Sequence, residues 1–158
     1  MSKIILKVGV LASYNERLLL IKELNPKSNK YYWNIVKGTF DPAKDRSILD
    51  TARREMEEEV GVKNLTISGL QGVMIKTRND SVSIQINLLA KLENDQTTLS
   101  SRKDQDQRGE DICETKFYTK DELKLVQSAD LMNERTAVAI QEWLDGKESD
   151  MSILKFFD

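Results

Sequence analysis

The sequence predicts a mixed α/β domain built in layers. Segments with the apolar character of strands come before, between and after two segments that carry the three- and four-residue apolar spacing of a helix. The chain has 158 residues, which is the size of one globular domain and short for two. No linker, repeat or low-complexity tract divides it, so a single domain over residues 1–158 is expected.

The first part of the chain is predicted to form strands. Residues 4–12 and 17–21 are largely apolar runs, and the polar residues 13–16 between them are typical of a hairpin turn. An aromatic strand is expected at residues 31–36. Residues 38–46 are mostly polar and contain a glycine and a proline, so an irregular loop is expected to lead into the next element.

The first helix is predicted over residues 48–60. Ser47 is a suitable N-cap residue, and Asp50, three positions later, resembles the acid of a capping box. Gly61 suits the position at which many helices end in the left-handed conformation. The apolar residues of this helix recur at helical spacing and are expected to face the core: Leu49, Ala52, Met56 and Val60.

Three further strands are expected in the second half of the chain. Residues 65–76 and 82–92 are predicted to be two of them, joined by a turn at residues 77–80. No element is predicted in the long polar stretch 93–111. The third strand is short and is expected at residues 115–118.

Two helices are expected near the end of the sequence. Residues 119–122 are expected to cap a short helix at residues 123–126. The last substantial helix is predicted over residues 133–144 and is ended by Gly146. Its inward-facing side chains are expected to be Ala137, Ile140 and Leu144.

The composition limits the chemistry that a site could use. The chain has no histidine, which excludes Ser-His-Asp and Cys-His catalysis and zinc sites of the HExxH type. The single cysteine, Cys113, excludes an intrachain disulfide and a CxxC zinc motif. The formal charge of -2, from 24 basic and 26 acidic residues, argues against a strongly cationic nucleic-acid binder. An enzyme of this composition would use carboxylates, Arg, Lys, Tyr, hydroxyls or an oxygen-binding metal ion.

The apolar segments of the sequence are all short. None approaches the roughly 18 apolar residues that a membrane-spanning helix needs. Lys7 interrupts the apolar run at the start of the chain, which is unlike the start of a secretory signal peptide. A cytoplasmic protein without a membrane partner is therefore predicted.

Three glutamates are expected on one face of the first helix. Glu55, Glu58 and Glu59 are separated by three and four residues and so share one side, whereas Glu57 points elsewhere and can pair with Arg53. Three converging carboxylates suit Mg²⁺ or Mn²⁺, which bind a few carboxylates together with waters and phosphate oxygens. The alternative for a Glu-rich helix is a solvated acidic face.

The stretch 54–62 matches a known family motif. Its sequence, R-E-M-E-E-E-V-G-V, agrees at every position with the core of the Nudix box, R-E-U-x-E-E-x-G-U, in which U is aliphatic. Upstream, residues 33–39 (W-N-I-V-K-G-T) resemble the W-x-U-P-G-G approach to that box. Gly38 fits the first glycine, beside a phosphate, and Lys37 stands where the family often has Gly or Pro.

The sequence departs from the full Nudix pattern before the helix. Arg46 stands where the pattern places a glutamate, and the loop 41–45 carries a small insertion. Asp45 is a candidate to supply the missing carboxylate. These departures motivate a second hypothesis, which is a Nudix-like nucleotide-binding or regulatory module with little or no turnover.

The resemblance implies a Nudix-like α/β/α sandwich with a mixed sheet, and a hydrolase that uses Mg²⁺, with Mn²⁺ as the alternative ion. Such enzymes hydrolyse a nucleoside diphosphate linked to another group, with water as nucleophile at phosphorus. Glu55, Glu58 and Glu59 are the implied metal ligands, and Arg54 would orient Glu58. The general base is Glu58, Glu59 or an acid of a later loop, depending on the subfamily.

The later acidic loop precedes the short strand 115–118. Glu110, Asp111 and Glu114 are the candidates in it, and Glu114 is the best aligned with the family. The expected catalytic residues are Glu58, Glu59, Glu114 and Arg54.

A small-molecule nucleotide is the implied substrate. Subfamily signatures are missing, since no proline follows Pro42, and a nucleoside triphosphate or a modified nucleotide remains by elimination. Gly38, Trp33 and Arg78 are the expected substrate-binding residues, with core packing as the alternative for Trp33 and solvated charge for Arg78. The aromatic pair 156–157 would dock on the body or on a second subunit of a homodimer.

Overall fold

A seven-stranded mixed sheet with helices on both faces is formed by residues 3–157, which are the residues that the computed structural model describes. The elements in chain order are β1 Lys3–Tyr14, β2 Arg17–Asn25, β3 Lys30–Asn34, β4 Val36–Thr39, α1 Ile48–Val60, β5 Leu65–Thr77, β6 Ser81–Leu92, α2 Arg102–Arg108, β7 Ile112–Tyr118, α3 Lys120–Leu125 and α4 Glu134–Leu144. Short 3₁₀ turns at Ser128–Asp130 and Met151–Ile153 come before and after α4.

The strands lie in the order β3-β2-β1-β6-β5, with β4 added on β1 and β7 added on β2. The pair β1 and β6 is parallel, and the other pairs are antiparallel. β1 and β2 pair next to their shared turn, at residues 13–14 and 17–18. Further along, β1 pairs with β4 through residues 7–10, whereas β2 pairs with β3 and β7. The two strands of the hairpin therefore diverge away from the turn.

Alternate residues of the central strands face opposite helices. Val8 and Val10 of β1 pack with Met56 of α1 in one core. Leu11 points the other way and packs with Ile140 of α4 in a second core. This alternation follows from the two-residue period of a strand, and it places one helical layer on each face of the sheet. The predicted α/β/α sandwich with a mixed sheet is confirmed.

Helix α1 begins and ends at the predicted residues. Gly61 follows it with φ +70°, in the left-handed region. The N-cap differs from the prediction, because the Ser47 side chain makes no capping hydrogen bond. The Asp50 carboxylate instead accepts hydrogen bonds from the backbone N–H and the Nε–H of Arg46. Of the predicted core residues, Ala52, Met56 and Val60 are fully buried. Leu49 is partly buried and packs against the same core.

The predicted pair of Arg53 with Glu57 is wrong. Glu57 lies 3.3 Å from the Nζ of Lys63, beyond the end of the helix. The Arg53 guanidinium donates to the carbonyl oxygen of Leu65 at the start of β5. Both long side chains therefore reach past the helix instead of along it.

Two elements lie in segments for which the sequence predicts loops. β4 has four residues and carries no alternating pattern, and it exists because its backbone pairs with β1. α2 lies within the polar stretch 93–111 and buries one side chain, that of Gln105, so it has no apolar stripe to detect. Its N-terminus is capped by Ser101, whose Oγ accepts a hydrogen bond from the backbone N–H of Asp104.

The last two helices are close to their predicted positions. α3 begins three residues early, because Thr119 is its N-cap and forms a capping box with Glu122. α4 follows its N-cap Asn133, whose side chain accepts a hydrogen bond from the Thr136 N–H. Of its predicted inward residues Ile140 is buried, and the other two are partly buried. No helix within residues 3–157 combines the length and apolar character that a membrane span requires.

The C-terminal end of α1 is held by the segment that follows β6. The Thr98 N–H donates to the carbonyl oxygen of the last helical residue at 2.8 Å. The Ser100 hydroxyl and the Arg108 guanidinium both donate to the carbonyl oxygen of Glu58. A Cβ on Gly61 would lie 2.8 Å from the Thr98 carbonyl oxygen. Glycine is therefore needed here both for its positive φ and for this close approach.

Gly61→Ala is expected to lower the free energy of unfolding by about 2 kcal/mol or more, because it adds a contact with Thr98 to left-handed strain. Gly146→Ala is the matched control, since Gly146 has the same φ of +70° and open space around its Cβ position. The control should cost about 1 kcal/mol. Urea denaturation of both variants measures the difference, and equal losses would contradict the role of the Thr98 contact.

Candidate active site

A cleft of about 1210 Å³ opens beside the diverging strands. It is lined by α1 and β4, by the end of β2, by the residues that follow α2 and by the start of α4. Carboxylates of α1 form one wall. Basic side chains of β1, β4 and α4 line the cleft as well.

Three carboxylates meet on the acidic wall. Glu55 and Glu59 come from successive turns of α1, and Glu110 comes from the residues between α2 and β7. One oxygen of each lies within 4.8 Å of the others. Glu55 and Glu59 are buried, with 5% of each residue exposed, and Glu110 is partly buried. These three residues are called the acid cluster below.

Burial and mutual repulsion act on the carboxylates of the acid cluster. Burial raises the pKa of Glu59 well above the usual carboxyl range, and Glu23, Glu55 and Glu110 raise it further. Burial also raises the pKa values of Glu55 and Glu110. The buried Oε2 of Glu59 has no hydrogen-bond partner within residues 3–157. A cation that prefers oxygen ligands would satisfy this atom, so the residues present fit Mg²⁺ or Mn²⁺.

The lack of a side chain at Gly38 leaves room beside β4 for the Glu55 carboxylate. A Cβ at this position would overlap the Glu55 carboxylate. The neighbouring Val36 packs in the same core as α1, so this face of β4 lies directly against the helix. Gly38 does line the cleft, as expected of a substrate-binding residue, but its contact here is with an acid of the protein.

The Arg54 guanidinium uses all of its N–H groups. The Nε and Nη2 groups donate to the two Asp45 oxygens at 2.9 and 2.8 Å. Nη1 donates to Glu55 at 2.5 Å and to Glu58 at 3.2 Å. Nη2 also donates to the carbonyl oxygen of Thr39 at 3.1 Å. The predicted contact between Arg54 and Glu58 is therefore present, as one of several.

Asp45 serves as the counterion of this arginine. Hydrogen bonds from the Arg54 guanidinium lower the pKa of Asp45 to about 2, and bonds from the Asp41 N–H and the Thr51 hydroxyl act in the same direction. Its side chain is 1% exposed. A carboxylate with this many donors is not available to an ion in the cleft, so Asp45 supports the site through Arg54.

The structure separates the remaining predicted acids. Glu58 lines the cleft beside Arg54 but lies outside the acid cluster, and 28% of its side chain is exposed. Glu114 is exposed on β7, 3.9 Å from the Nζ of Lys22, and does not line the cleft. Glu110, the other glutamate considered in that loop, belongs to the acid cluster. It is held by Arg108, whose Nε donates to it at 2.9 Å.

The other two predicted substrate-binding residues have different surroundings. Trp33 lies outside the cleft and packs edge-on against Tyr118, with ring centroids 5.3 Å apart. Arg78 is exposed and lines the cleft. Sequence reasoning did not single out several charged residues that line the cleft, among them Lys7, Glu23, Lys37 and Arg135. The available signals were the charge that interrupts the apolar run of β1 and the lysine beside the family glycine.

The comparisons with known proteins agree on one family. The family described as NUDIX domain matches residues 3–141. A NUDIX hydrolase from Nitrosomonas europaea has a TM-score of 0.76 at 19% identity, over 98% of both chains. The MutT protein from Methanosarcina mazei Go1 has a TM-score of 0.67 at 17% identity, over 93% of this chain and 98% of that one.

A third similar structure is the NUDIX domain of Shewanella oneidensis NrtR, complexed with ADP ribose. Its TM-score is 0.65 at 11% identity, over 92% of this chain and 88% of that one. At such identities the likeness establishes the fold. No curated protein matches the chain.

Glu59→Gln is expected to stabilise the metal-free protein at about pH 8, by about 1–3 kcal/mol, and to have little effect at about pH 4. The folded-state pKa of Glu59 lies above the ordinary 4.5. The wild type therefore loses stability as the pH rises from about 4.5 through that raised pKa, and the glutamine variant does not. Urea denaturation with a chelator present measures this.

Glu57→Gln is the matched control on the same helix. Glu57 is exposed and outside the cleft, so its replacement should change the free energy of unfolding by less than about 0.5 kcal/mol at either pH. A Glu59→Gln variant that is less stable than the wild type at the higher pH would contradict the account of the acid cluster.

Proposed function

Since the chain belongs to the NUDIX domain family, we propose that it is a Mg²⁺-dependent hydrolase of a nucleoside diphosphate linked to another group, with Mn²⁺ as the alternative ion. The predicted class of enzyme, a Nudix-type pyrophosphohydrolase acting on phosphorus-containing anhydrides, is supported by this membership and by neighbours named as NUDIX or MutT hydrolases. A neighbour complexed with ADP ribose supports a small-molecule nucleotide as the substrate.

One observation carries the proposal. Buried carboxylates converge at a cleft, and one of their oxygens has no partner among the described residues. Such an arrangement is costly in a folded protein unless a ligand uses it. We assign Glu55, Glu59 and Glu110 as the residues that would hold the ion. When bound, a divalent ion neutralises phosphate charge and lowers the pKa of a water molecule.

Glu58 is the acid that we assign to proton transfer. It lines the same cleft, lies outside the acid cluster and is partly open to solvent. In the proposed step a water oxygen forms a bond to one phosphorus atom as the bond from that phosphorus to the bridging oxygen breaks. The bridging oxygen leaves with the second phosphate, and the Glu58 carboxylate accepts a proton of the water.

Arg54 acts as a positioning residue. Its paired bonds to Asp45 fix the plane of the guanidinium, and its remaining donors set the directions of Glu55 and Glu58.

Several other statements stay predictions: the single domain over residues 1–158, the catalytic role of Glu114, the substrate contact of Trp33, the cytoplasmic location, the homodimer, and a nucleoside triphosphate or modified nucleotide as the substrate.

Phosphate or pyrophosphate release from a panel of nucleotides, with and without Mg²⁺, tests the function. We expect release that requires the ion. Glu58→Gln should lower kcat by about a hundredfold or more while Mn²⁺ binding is retained, because it removes the proton acceptor. Glu59→Gln should weaken Mn²⁺ binding itself, measured by electron paramagnetic resonance. Nucleotide binding without release in the presence of Mg²⁺ would favour the binding-module hypothesis instead.

Glu110→Gln and Glu114→Gln form a matched pair. Glu110 belongs to the acid cluster, so its replacement should weaken Mn²⁺ binding about tenfold or more and lower activity with it. Glu114 is exposed on β7 outside the cleft, so its replacement should change activity less than about threefold. The opposite order of effects would return the role to Glu114, as the sequence alone suggests.

A further inference from the structure

The cleft is also lined by a group of basic side chains. Lys7 of β1, Lys37 of β4 and Arg135 of α4 all line it. Gly9 pairs with Lys37 across the two strands, and Lys7 lies two residues from Gly9, so the two lysines share one face of the sheet. Arg135 reaches the same region from α4, where its Nη1 lies 3.5 Å from the Ser83 hydroxyl.

These cations are partly buried and lack ion-pair partners. Within residues 3–157 no carboxylate lies within 4.0 Å of the charged nitrogens of Lys7, Lys37 or Arg135. Burial lowers the pKa values of both lysines, and the charge of Arg135 lowers them further. Nearby carboxylates act in the opposite direction, Glu23 and Glu59 on the pKa of Lys37, and Glu23 and Glu55 on that of Lys7. Three partly buried cations that repel one another and form no direct ion pair would be stabilised by an anion that contacts all three.

A helix end and the scarcity of aromatic side chains also bear on what the cleft can bind. The N-terminal end of α4, with Asn133 and Glu134 beside Arg135, lines the same cleft. The helix dipole gives such an end a positive potential, which the Glu134 carboxylate in the first turn partly offsets. Among the described residues that line the cleft, Phe40 is the one aromatic side chain, so the cleft offers a nucleobase a single ring for stacking.

We propose that Lys7, Lys37 and Arg135 form a phosphate-binding site, and that the preferred substrates carry a further phosphate beyond the diphosphate held at the acid cluster. This inference rests on the proposed function for the placement of the diphosphate. A terminal phosphate carries close to two negative charges and oxygens that can accept from an arginine and two lysines. A nucleoside triphosphate has this chemistry, whereas a nucleoside diphosphate joined to a neutral sugar does not.

Binding of inorganic tripolyphosphate in the presence of a chelator tests the site without catalysis. Calorimetry should detect binding to the wild-type protein. Lys37→Met and Arg135→Gln should each raise the Kd by about tenfold or more, because each removes a charge-assisted contact. Lys103→Met is the matched control on α2, exposed and outside the cleft, and should stay within about twofold of the wild type. Thermal unfolding of each variant verifies that it is folded.

Kinetics with Mg²⁺ test the substrate class. For a nucleoside triphosphate the two variants should raise KM by about tenfold with kcat nearly unchanged. For a nucleoside diphosphate sugar the KM of the variants should match that of the wild type. Equal Kd and KM values for Lys37→Met, Arg135→Gln and Lys103→Met would overturn the phosphate site and leave the hydrolase proposal intact. Tripolyphosphate binding that depends on Lys37 and Arg135 would support the site even if no nucleotide were hydrolysed.

Discussion

The geometry of the candidate active site depends on the guanidinium of Arg54, in which every N–H group donates a hydrogen bond. The two Asp45 oxygens occupy its Nε–Nη2 edge, and the remaining donors reach Glu55, Glu58 and the Thr39 carbonyl oxygen. Asp45 supplies a counterion to the arginine, and Arg54 directs the two glutamates while its charge lowers the pKa of Glu55 against the effect of burial. A lysine would offer a single point charge in place of this planar fork and could not fix these directions together.

The elements that local sequence determines could be predicted. Helix α1 combines an apolar stripe with Gly61 at its end, and both signals act within a few residues, so its limits agree with the prediction. The same periodicity placed Glu55 and Glu59 on one face, and both belong to the acid cluster. The motif resemblance added the family, which local periodicity cannot supply, and the match over residues 3–141 confirms it.

The parts of the site that depend on distant contacts could not be predicted. The position of Glu110 beside Glu55 and Glu59 depends on α2, a helix without an apolar stripe, whose Arg108 bonds to Glu110 and to the carbonyl oxygen of Glu58. The placement of Lys7 beside Lys37 depends on the register of β4 against β1. A four-residue strand carries no pattern from which that register could be inferred. Within the Nudix box itself, Glu58 shares the helical face of Glu55 and Glu59, but its carboxylate, which accepts a hydrogen bond from Arg54, lies outside their cluster.

Hydrogen bonds through residues 98–108 join the end of α1 to the loop that carries Glu110. Residues 98–108 cover the carbonyl oxygens of Glu58 and the last helical residue, and Arg108 joins that end to Glu110. Local opening of this segment would therefore uncap the helix and remove an acid from the cluster in the same event. Amide exchange protection in α1 should accordingly rise and fall with the occupancy of the cleft, because order in one part constrains the other.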